Sequence, residues 1–362
     1  MPSRLWGDLQ PGKYDVGLRL VRFVDTSRPN KDGSGRTIEV FVWYPAAKPV
    51  KVKSLTFAEY YLLSEKELRE SELPETLSKD VTGDRKGITA EMAESILDSP
   101  MRAHLNSKQA DGRFPIILWS SRHLTVIAQS VLSEYLASHG YVVAFPRYQG
   151  EPIPFPFQIN EPETKLEVLD THVQDLAFAL SNLRDTSGLE RAKTALISWS
   201  YGGESAIKLQ LRQPDIDAVL GLSSIRFDRG PYQGKFSVEP RKLNVPYVLL
   251  KETINPNGEL ELVPSHFFEL PAESYYVELR ELRHGNFNVL EGFIPGLFKI
   301  KKVQNWSKND GSAQLGYETI CRLSLGYLNH FLKGRRLKLP QSSALPEGFL
   351  KIHMATGRKR SP

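Results

Sequence analysis

The run Thr194-Ala195-Leu196-Ile197-Ser198-Trp199-Ser200-Tyr201-Gly202-Gly203-Glu204-Ser205-Ala206 carries the clearest chemical signal in the chain. An apolar, strand-like stretch enters a small-x-Ser-x-Gly turn and leaves it in helix-forming sequence. That is the setting of a nucleophilic serine displayed on a sharp strand-to-helix elbow. Small residues two positions either side of Ser200 have a steric reason. At such an elbow the serine backbone is strained and strand and helix approach closely, so bulky neighbours would clash. Ser198 stands where G-x-S-x-G has its first glycine, so the short match alone also fits a chance turn; the strand before and the helix after single it out. The backbone N–H of Tyr201, next after the nucleophile, is then one donor for a developing oxyanion.

A serine hydroxyl is a weak nucleophile until a base takes its proton. In folds built around this elbow the acid and then the histidine follow the serine, which leaves His266, His284, His330 and His353. His330 falls in an apolar-periodic helix over 312–333 and His353 in the C-terminal stretch, while His266, in a loop between strand-like segments, stays a second candidate. His284 follows closely on Tyr275–Leu279, the last strand-like run, in the loop from which an imidazole reaches the elbow. It is assigned as the base; the plain alternative is a surface histidine making a local hydrogen bond.

The elements that must position these groups show in the hydropathy pattern. Strand-like runs occur at 15–24, 37–44, 115–119, 141–146, 194–198, 217–222, 245–250 and 275–279. Between 164 and 185, Leu166, Leu169, Val173, Leu176, Leu180 and Leu183 recur at alternating spacings of three and four, which predicts a helix with one apolar stripe. Runs such as Tyr141–Phe145 are apolar on both faces, as in parallel strands covered on each side. Strand and helix alternation from 115 onward therefore predicts a doubly wound α/β sheet. Residues 50–112 interrupt it with charged, helix-favouring sequence after the aromatic patch Phe57, Tyr60 and Tyr61, and read as a helical cap insertion. Residues 147–163 carry Pro152, Pro154 and Pro156 interleaved with Phe155 and Phe157, which suits a stiff loop over a pocket or, equally, a surface loop with its aromatics tucked in. The expected organisation is N-terminal strands over 1–49, the cap over 50–112, a core over 113–336 and a tail over 337–362.

The bulk properties bound the function classes. A chain of 362 residues with 40% hydrophobic content can bury one large core with decorations. Formal charge is only +5, and the clearest basic run, Arg358-Lys359-Arg360, lies in what reads as a frayed C-terminus, so no nucleic-acid partner is called for. The single cysteine, Cys321, excludes an intramolecular disulfide and a cysteine-rich metal site, and reads as packed in a helix. No apolar stretch is long enough to span a bilayer and residues 1–12 lack a secretory pattern, so the chain as written reads as soluble, with its compartment and oligomeric state open.

These residues also carry a family resemblance. The chain resembles the α/β-hydrolases related to plasma-type platelet-activating factor acetylhydrolase and the dienelactone hydrolase-like proteins. The likeness runs through Gly12-Lys13-Tyr14-Asp15-Val16-Gly17, Asp25-Thr26-Ser27-Arg28 and Val42-Trp43-Tyr44-Pro45-Ala46. It continues through Phe114-Pro115-Ile116-Ile117, Leu136 to Val143, the elbow Ser198 to Gly203, and His284-Gly285-Asn286-Phe287. It implies an α/β-hydrolase fold, a mostly parallel central sheet with helices on both faces, and hydrolysis of carboxylic esters with Ser200 as nucleophile and His284 as base.

The chain departs from that pattern at two places. Where such proteins commonly have His-Gly after the strand at 115–119, it reads Ser120-Ser121-Arg122-His123, so the second oxyanion donor is expected from Arg122 or His123. His139-Gly140 does not substitute, since it ends a helical segment, where glycine reads as a cap. After the strand at 217–222, where the acetylhydrolases carry their aspartate, no carboxylate occurs until Asp228. After 245–250, where the dienelactone hydrolase-like relatives carry theirs, the chain reads Lys251-Glu252-Thr253-Ile254-Asn255. Glu252, just beyond a strand C-terminus where active-site groups of open α/β sheets gather, is the preferred acid and Asp228 the alternative.

The expected function is thus a serine esterase working through an acyl-enzyme on a small-molecule ester, with short acyl groups preferred. Phe155, Phe157 and Trp199 are expected to wall the substrate pocket. No cofactor is called for, and no His/Asp/Glu cluster has persuasive metal-ligand spacing. A peptidase or amidase on the same fold would share the triad, and a hydrolase-fold binding protein with impaired catalysis is the other alternative.

Overall fold

Successive side chains of the short apolar strands alternate between two packed layers, and that alternation organises the molecule. In the strand Ile116–Ser120, Ile117 and Trp119 enter one buried cluster and Ile116 and Leu118 the other. In Thr194–Trp199, Ala195, Ile197 and Trp199 point to the first cluster and Leu196 to the second. Both faces of these strands are therefore covered, which explains why their sequences are apolar throughout.

The computed structural model describes residues 4–30, 32–47, 53–65, 68–121, 126–148, 162–187, 192–224, 240–254, 260, 262–301, 303, 311–340 and 345–356. Its strands are β1 (Asp15–Pro29), β2 (Gly35–Ala46), β3 (Ala103–Leu105), β4 (Ile116–Ser120), β5 (Val142–Pro146), β6 (Thr194–Trp199), β7 (Ala218–Leu222), β8 (Tyr247–Glu252), β9 (Ser274–Leu279) and β10 (Leu350–Ala355). They form one sheet in the order β10-β9-β8-β7-β6-β4-β5-β2-β1-β3. The neighbours from β5 through β9 are parallel, whereas β2 joins β5, β1 joins β2 and β10 joins β9 antiparallel.

The helices divide between the faces. Those named first are α1 (Phe57–Ser64), α2 (Leu73–Thr82), α3 (Ala90–Leu97) and α4 (Ser130–Ser138); they are followed by α5 (Pro162–Ser187), α6 (Gly202–Arg212), α7 (Ile294–Phe298) and α8 (Gly311–Lys333). Side chains of α4 and α8 (Leu132, Leu136, Tyr317, Ile320) pack on the first face, and those of α5 and α6 (Leu169, Val173, Leu176, Leu209) on the second. Leu169, Val173, Leu176, Leu180 and Leu183 of the predicted stripe thus lie against the sheet; Cys321 is buried in α8, where desolvation pushes its thiol far up.

The segment 50–112 contributes α1, α2, α3 and β3, and its Phe57, Tyr60, Leu77 and Ile96 join the same buried cluster as α4 and α8. Thr56 and Glu59 cap the N-terminus of α1 reciprocally, Glu59 N–H donating to Thr56 Oγ1 at 3.2 Å and Thr56 N–H to Glu59 Oε2 at 2.6 Å. A buried carboxylate, Glu134 of α4, ties this segment to the rest. It accepts from Trp6 Nε1 at 2.9 Å, Tyr60 OH at 2.6 Å, Ala103 N at 2.8 Å and Arg102 N at 3.1 Å. On the other face Asp175 of α5 accepts from Arg28 at 2.8 Å and from both ends of the Arg36 guanidinium at 2.7 and 2.6 Å, fastening α5 to the β1–β2 hairpin.

Two strands depart from the sequence reading. β3 is three residues long, too short to show a period, and pairs with β1 in parallel. The stretch 337–362, read as a tail, supplies β10, so His353 lies in a strand and its Nε2 stands 2.5 Å from Glu278 Oε1 on β9. An edge strand buries little, so Leu350–Ala355 stays largely half-exposed, and a short apolar run broken by Lys351 and His353 does not stand out by hydropathy from a tail. Arg358–Arg360 lies outside the described residues. No described helix is long and apolar enough to cross a membrane.

Candidate active site

Parallel strands deliver their C-terminal ends to one edge of the sheet, and the candidate residues collect there. Ser200 follows the last residue of β6 and Ser223 the last residue of β7. The two strand ends are in register, Ser198 opposite Gly221 and Trp199 opposite Leu222. Both serines leave their strands in the left-handed region, Ser200 at φ 52° and Ser223 at φ 44°. Such backbone costs a non-glycine residue of the order of 1 kcal/mol and persists where the surroundings impose it.

The surroundings of Ser200 do impose it. A Cβ on Gly202 would lie 1.8 Å from the backbone oxygen of Ser120, so only glycine permits this approach of α6 to β4. Ser120 Oγ donates to the Gly202 carbonyl at 2.7 Å and Gly203 N–H to the Ser200 carbonyl at 3.1 Å, closing the turn. Ser198, in place of a glycine, pairs its hydroxyl with that of Ser224 at 2.8 Å, which joins the ends of β6 and β7. Tyr201 is the N-cap residue of α6, where the positive end of the helix dipole favours negative charge.

His284 opens a tight turn, His284–Phe287, shortly after β9. Arg283 N–H donates to Asn286 Oδ1 at 2.9 Å and Glu291 N–H to Asn288 Oδ1 at 2.9 Å, so buried amide side chains fix the loop on both sides of the imidazole. The ring stacks on Trp199 with centroids 4.5 Å apart and planes inclined by 27°. Trp199, expected to wall a pocket, therefore carries the imidazole on its indole face. Among the described residues no hydrogen bond joins Ser200 to His284, and Trp199 is what holds the ring beside the elbow. Nucleophile–base contacts are often loose without substrate.

The carboxylate partner is reached in two steps. His284 Nδ1 stands 2.5 Å from Ser223 Oγ and 3.8 Å from Glu252 Oε1, while Lys251 Nζ donates to Glu252 Oε1 at 2.7 Å. Glu252, the last residue of β8, is fully buried, and its Oε2 has no hydrogen-bond partner among the described residues. Burial pushes its carboxyl up, but the charges of Lys251 and His284 and the hydrogen bond from Lys251 outweigh it and hold the carboxyl below its ordinary value. Burial pushes the His284 imidazole down to about 4; Glu252 draws it up and Lys251 opposes that.

The structure thus brings together Ser200, Tyr201, Trp199, His284 and Glu252 of the residues singled out from sequence, and adds Ser223 and Lys251, to which the sequence reading gave no role. Ser223 had one signal, a hydroxyl residue directly at the C-terminal end of a strand, where active-site groups of such sheets gather. Asp228, Arg122, His123, Phe155 and Phe157 lie outside the described residues. Among the described residues no group of three or more His, Cys, Asp or Glu side chains could hold a metal ion.

Comparison with known proteins agrees with the architecture. No protein-family model matches the chain, and no curated protein does. Among solved structures, a ferulic acid esterase from Streptomyces cinnamoneus is similar, with a TM-score of 0.64 at 20% identity over 95% of this chain and 98% of that one. The chain has the α/β-hydrolase fold. At this identity the likeness bears on the fold, and the chemistry must be argued from the residues.

Proposed function

We propose that this α/β-hydrolase-fold chain is a serine esterase that cleaves carboxylic esters through an acyl-enzyme. The observation that carries the reading is the elbow. Ser200 sits at positive φ between β6 and α6, at a helix N-terminus, with Gly202 pressed against the Ser120 backbone. This arrangement has a steric cost and projects a hydroxyl toward anion-favouring backbone, which an ordinary turn has no reason to do. Ser200 attacks the ester carbonyl as His284 Nε2 takes its proton. The oxyanion forms near the Tyr201 N–H and a second donor from Arg122 or His123. The alcohol leaves with the proton from His284, and water repeats the cycle on the acyl-enzyme. Glu252, kept charged by Lys251, supports the imidazolium that forms in each half.

The narrower kinship with platelet-activating factor acetylhydrolase and dienelactone hydrolase-like proteins belongs to this proposal, as does a preference for short acyl chains. A cap role for 50–112 is supported by the packing of α2 against residues 289–293, just beyond the His284 turn. Phe155 and Phe157 complete the proposed pocket wall. The ester-cleaving activity named for the similar structure agrees with the reaction class. An impaired hydrolase fold draws on one observation, that a hydroxyl rather than a carboxylate is nearest to Nδ1.

A fluorophosphonate probe separates these readings, because only an activated serine reacts with it. Wild-type protein is expected to label and to hydrolyse p-nitrophenyl esters best at acetate to butyrate, falling by octanoate. Ser200→Ala is expected to lose both labelling and turnover with an unchanged circular dichroism spectrum. An unlabelled wild type, or an active Ser200→Ala, would overturn the reading. An optimum at long acyl chains would remove only the short-acyl part.

A further inference from the structure

In a hydrolase triad the neutral imidazole must carry its proton on Nδ1, so that Nε2 has a lone pair for the serine proton. A carboxylate on Nδ1 enforces this, since it can only accept. In this protein the atom at hydrogen-bond distance from Nδ1 is a hydroxyl oxygen, Ser223 Oγ at 2.5 Å, and the nearer oxygen of Glu252 is 3.8 Å away. A hydroxyl can donate or accept, so by itself it leaves the tautomer undecided.

The decision comes from what stands beside the hydroxyl. The same Nδ1 faces, at 3.8 Å, the Glu252 carboxylate, which can only accept and is paired with Lys251 at 2.7 Å. Its buried Oε2 has no hydrogen-bond partner among the described residues, so it is the acceptor open to a hydroxyl proton beside it. The single Ser223 proton is thereby directed to Glu252, leaving the oxygen lone pairs toward Nδ1. A second, independent feature points to the same residue. Ser223 is one of four non-glycine residues at positive φ among the described residues. Its N–H continues the sheet ladder to the Leu250 carbonyl at 2.8 Å, so the backbone turns left-handed only after the last ladder bond. That turn swings the hydroxyl into the space between His284 and the end of β8, where a side chain leaving β7 in extended conformation would follow the strand's alternation instead.

We propose that Ser223 is a positioning residue of the hydrolytic reaction, whose hydroxyl accepts the Nδ1–H of His284 and donates to Glu252, fixing the tautomer that leaves Nε2 free to take the Ser200 proton. During attack the Ser200 proton moves to Nε2, the Nδ1–H stays bound to Ser223 Oγ, and the Ser223 proton stays directed to Glu252. No proton leaves the relay, and the positive charge on the imidazole is stabilised by a carboxylate one hydroxyl away. This role rests on the serine-esterase reading of Ser200 and His284.

The test uses substitutions that separate the hydroxyl from the backbone turn. Glycine adopts φ near 44° without strain, so Ser223→Gly keeps the turn and removes the hydroxyl. Its kcat on p-nitrophenyl acetate is expected to fall roughly 10²- to 10⁴-fold, the scale of losing a triad's orienting partner, with KM little changed. Ser223→Asp, which tolerates the left-handed region, places a carboxylate on Nδ1 directly. It is expected to recover much of the rate and to move the acid limb of the pH–rate profile upward. In wild-type protein labelled with ¹⁵N-histidine, the His284 ring is expected as the Nδ1–H tautomer at pH 7, and this signature is expected to be lost in Ser223→Gly. A wild-type ring in the Nε2–H form, or a Ser223→Gly variant with wild-type kcat, overturns the proposal while fluorophosphonate labelling of the wild type still upholds the esterase reading. If the wild type does not label, both fall together.

Discussion

Glu134 in α4 and Glu252 at the end of β8 are the most deeply buried carboxylates among the described residues, and they are held by opposite means. Glu134 is enclosed by neutral donors: the Trp6 indole, the Tyr60 hydroxyl and the backbone N–H groups of Arg102 and Ala103. Burial still prevails there, and the Glu134 carboxyl lies above its ordinary value despite those four bonds. Glu252 has a cation, Lys251, in hydrogen-bond contact, and lies below its ordinary value although one of its oxygens is without a partner among the described residues. A carboxylate saturated by neutral donors from three separate segments is a fastening. One held ionised by a cation, with capacity to spare beside a histidine, is arranged to respond to a neighbouring charge.

The sharpest way to break this contrast is to remove the charge of each without removing its shape. Glu252→Gln is expected to depress kcat roughly 10²- to 10⁴-fold, which is about 3–5 kcal/mol of transition-state stabilisation. Its cost in stability is expected to be only about 1–2 kcal/mol, because the amide oxygen can still accept from Lys251. An active Glu252→Gln with unchanged kcat would move the acid to Asp228, whose Asp228→Asn variant would then show the loss.

Glu134 is expected to give the reverse pattern. Glu134→Ala leaves several buried donors unpaired and is expected to cost about 3–5 kcal/mol in denaturant unfolding. Glu134→Gln turns an NH₂ toward a shell made of donors and is expected to cost about 1–3 kcal/mol. Turnover per folded molecule should stay near wild type in both, since none of the Glu134 partners reaches the β6–β9 strand ends. A catalytic defect without a stability defect would erase the distinction between the two carboxylates.

The difference between the two was only partly legible in the sequence. Ser200 could be singled out because strand, small residues and glycine are neighbours in the chain, and the eight apolar runs anticipated the eight longer strands through β9. His284 could be reached through chain order. Glu252 needed only its place at a strand end, but nothing local tells whether a carboxylate will meet an imidazole or a hydroxyl. Ser223 depends on a left-handed backbone and on contact with a residue 61 positions away, and a lone serine after a strand announces neither. Glu134 reads as an ordinary helical glutamate, since its donors come from residues 6, 60, 102 and 103 and meet only in the folded chain.

The smallest expected effect is the most specific to the second carboxylate, because it depends on sign. His284 must be neutral to act as base, and burial pushes its proton affinity down to about 4 from the ordinary 6.5, with Glu252 acting to raise it and Lys251 to lower it. The acid limb of kcat/KM should therefore fall near pH 4, not near 6.5, with Glu252 still ionised above its own lowered value. Lys251→Met removes a positive charge that disfavours the imidazolium, so His284 should become easier to protonate. The same change removes the cation that keeps Glu252 ionised, so burial should raise that carboxyl as well. Both consequences move the acid limb toward higher pH, by on the order of one unit. Glu252→Gln removes the attraction that favours the imidazolium, so whatever activity remains should have its acid limb at lower pH. Opposite displacements from adjacent residues cannot come from a general loss of stability, which would move both limbs inward together. A profile unmoved in both variants would show that Lys251 and Glu252 are only a buried ion pair and that the imidazole answers to neither.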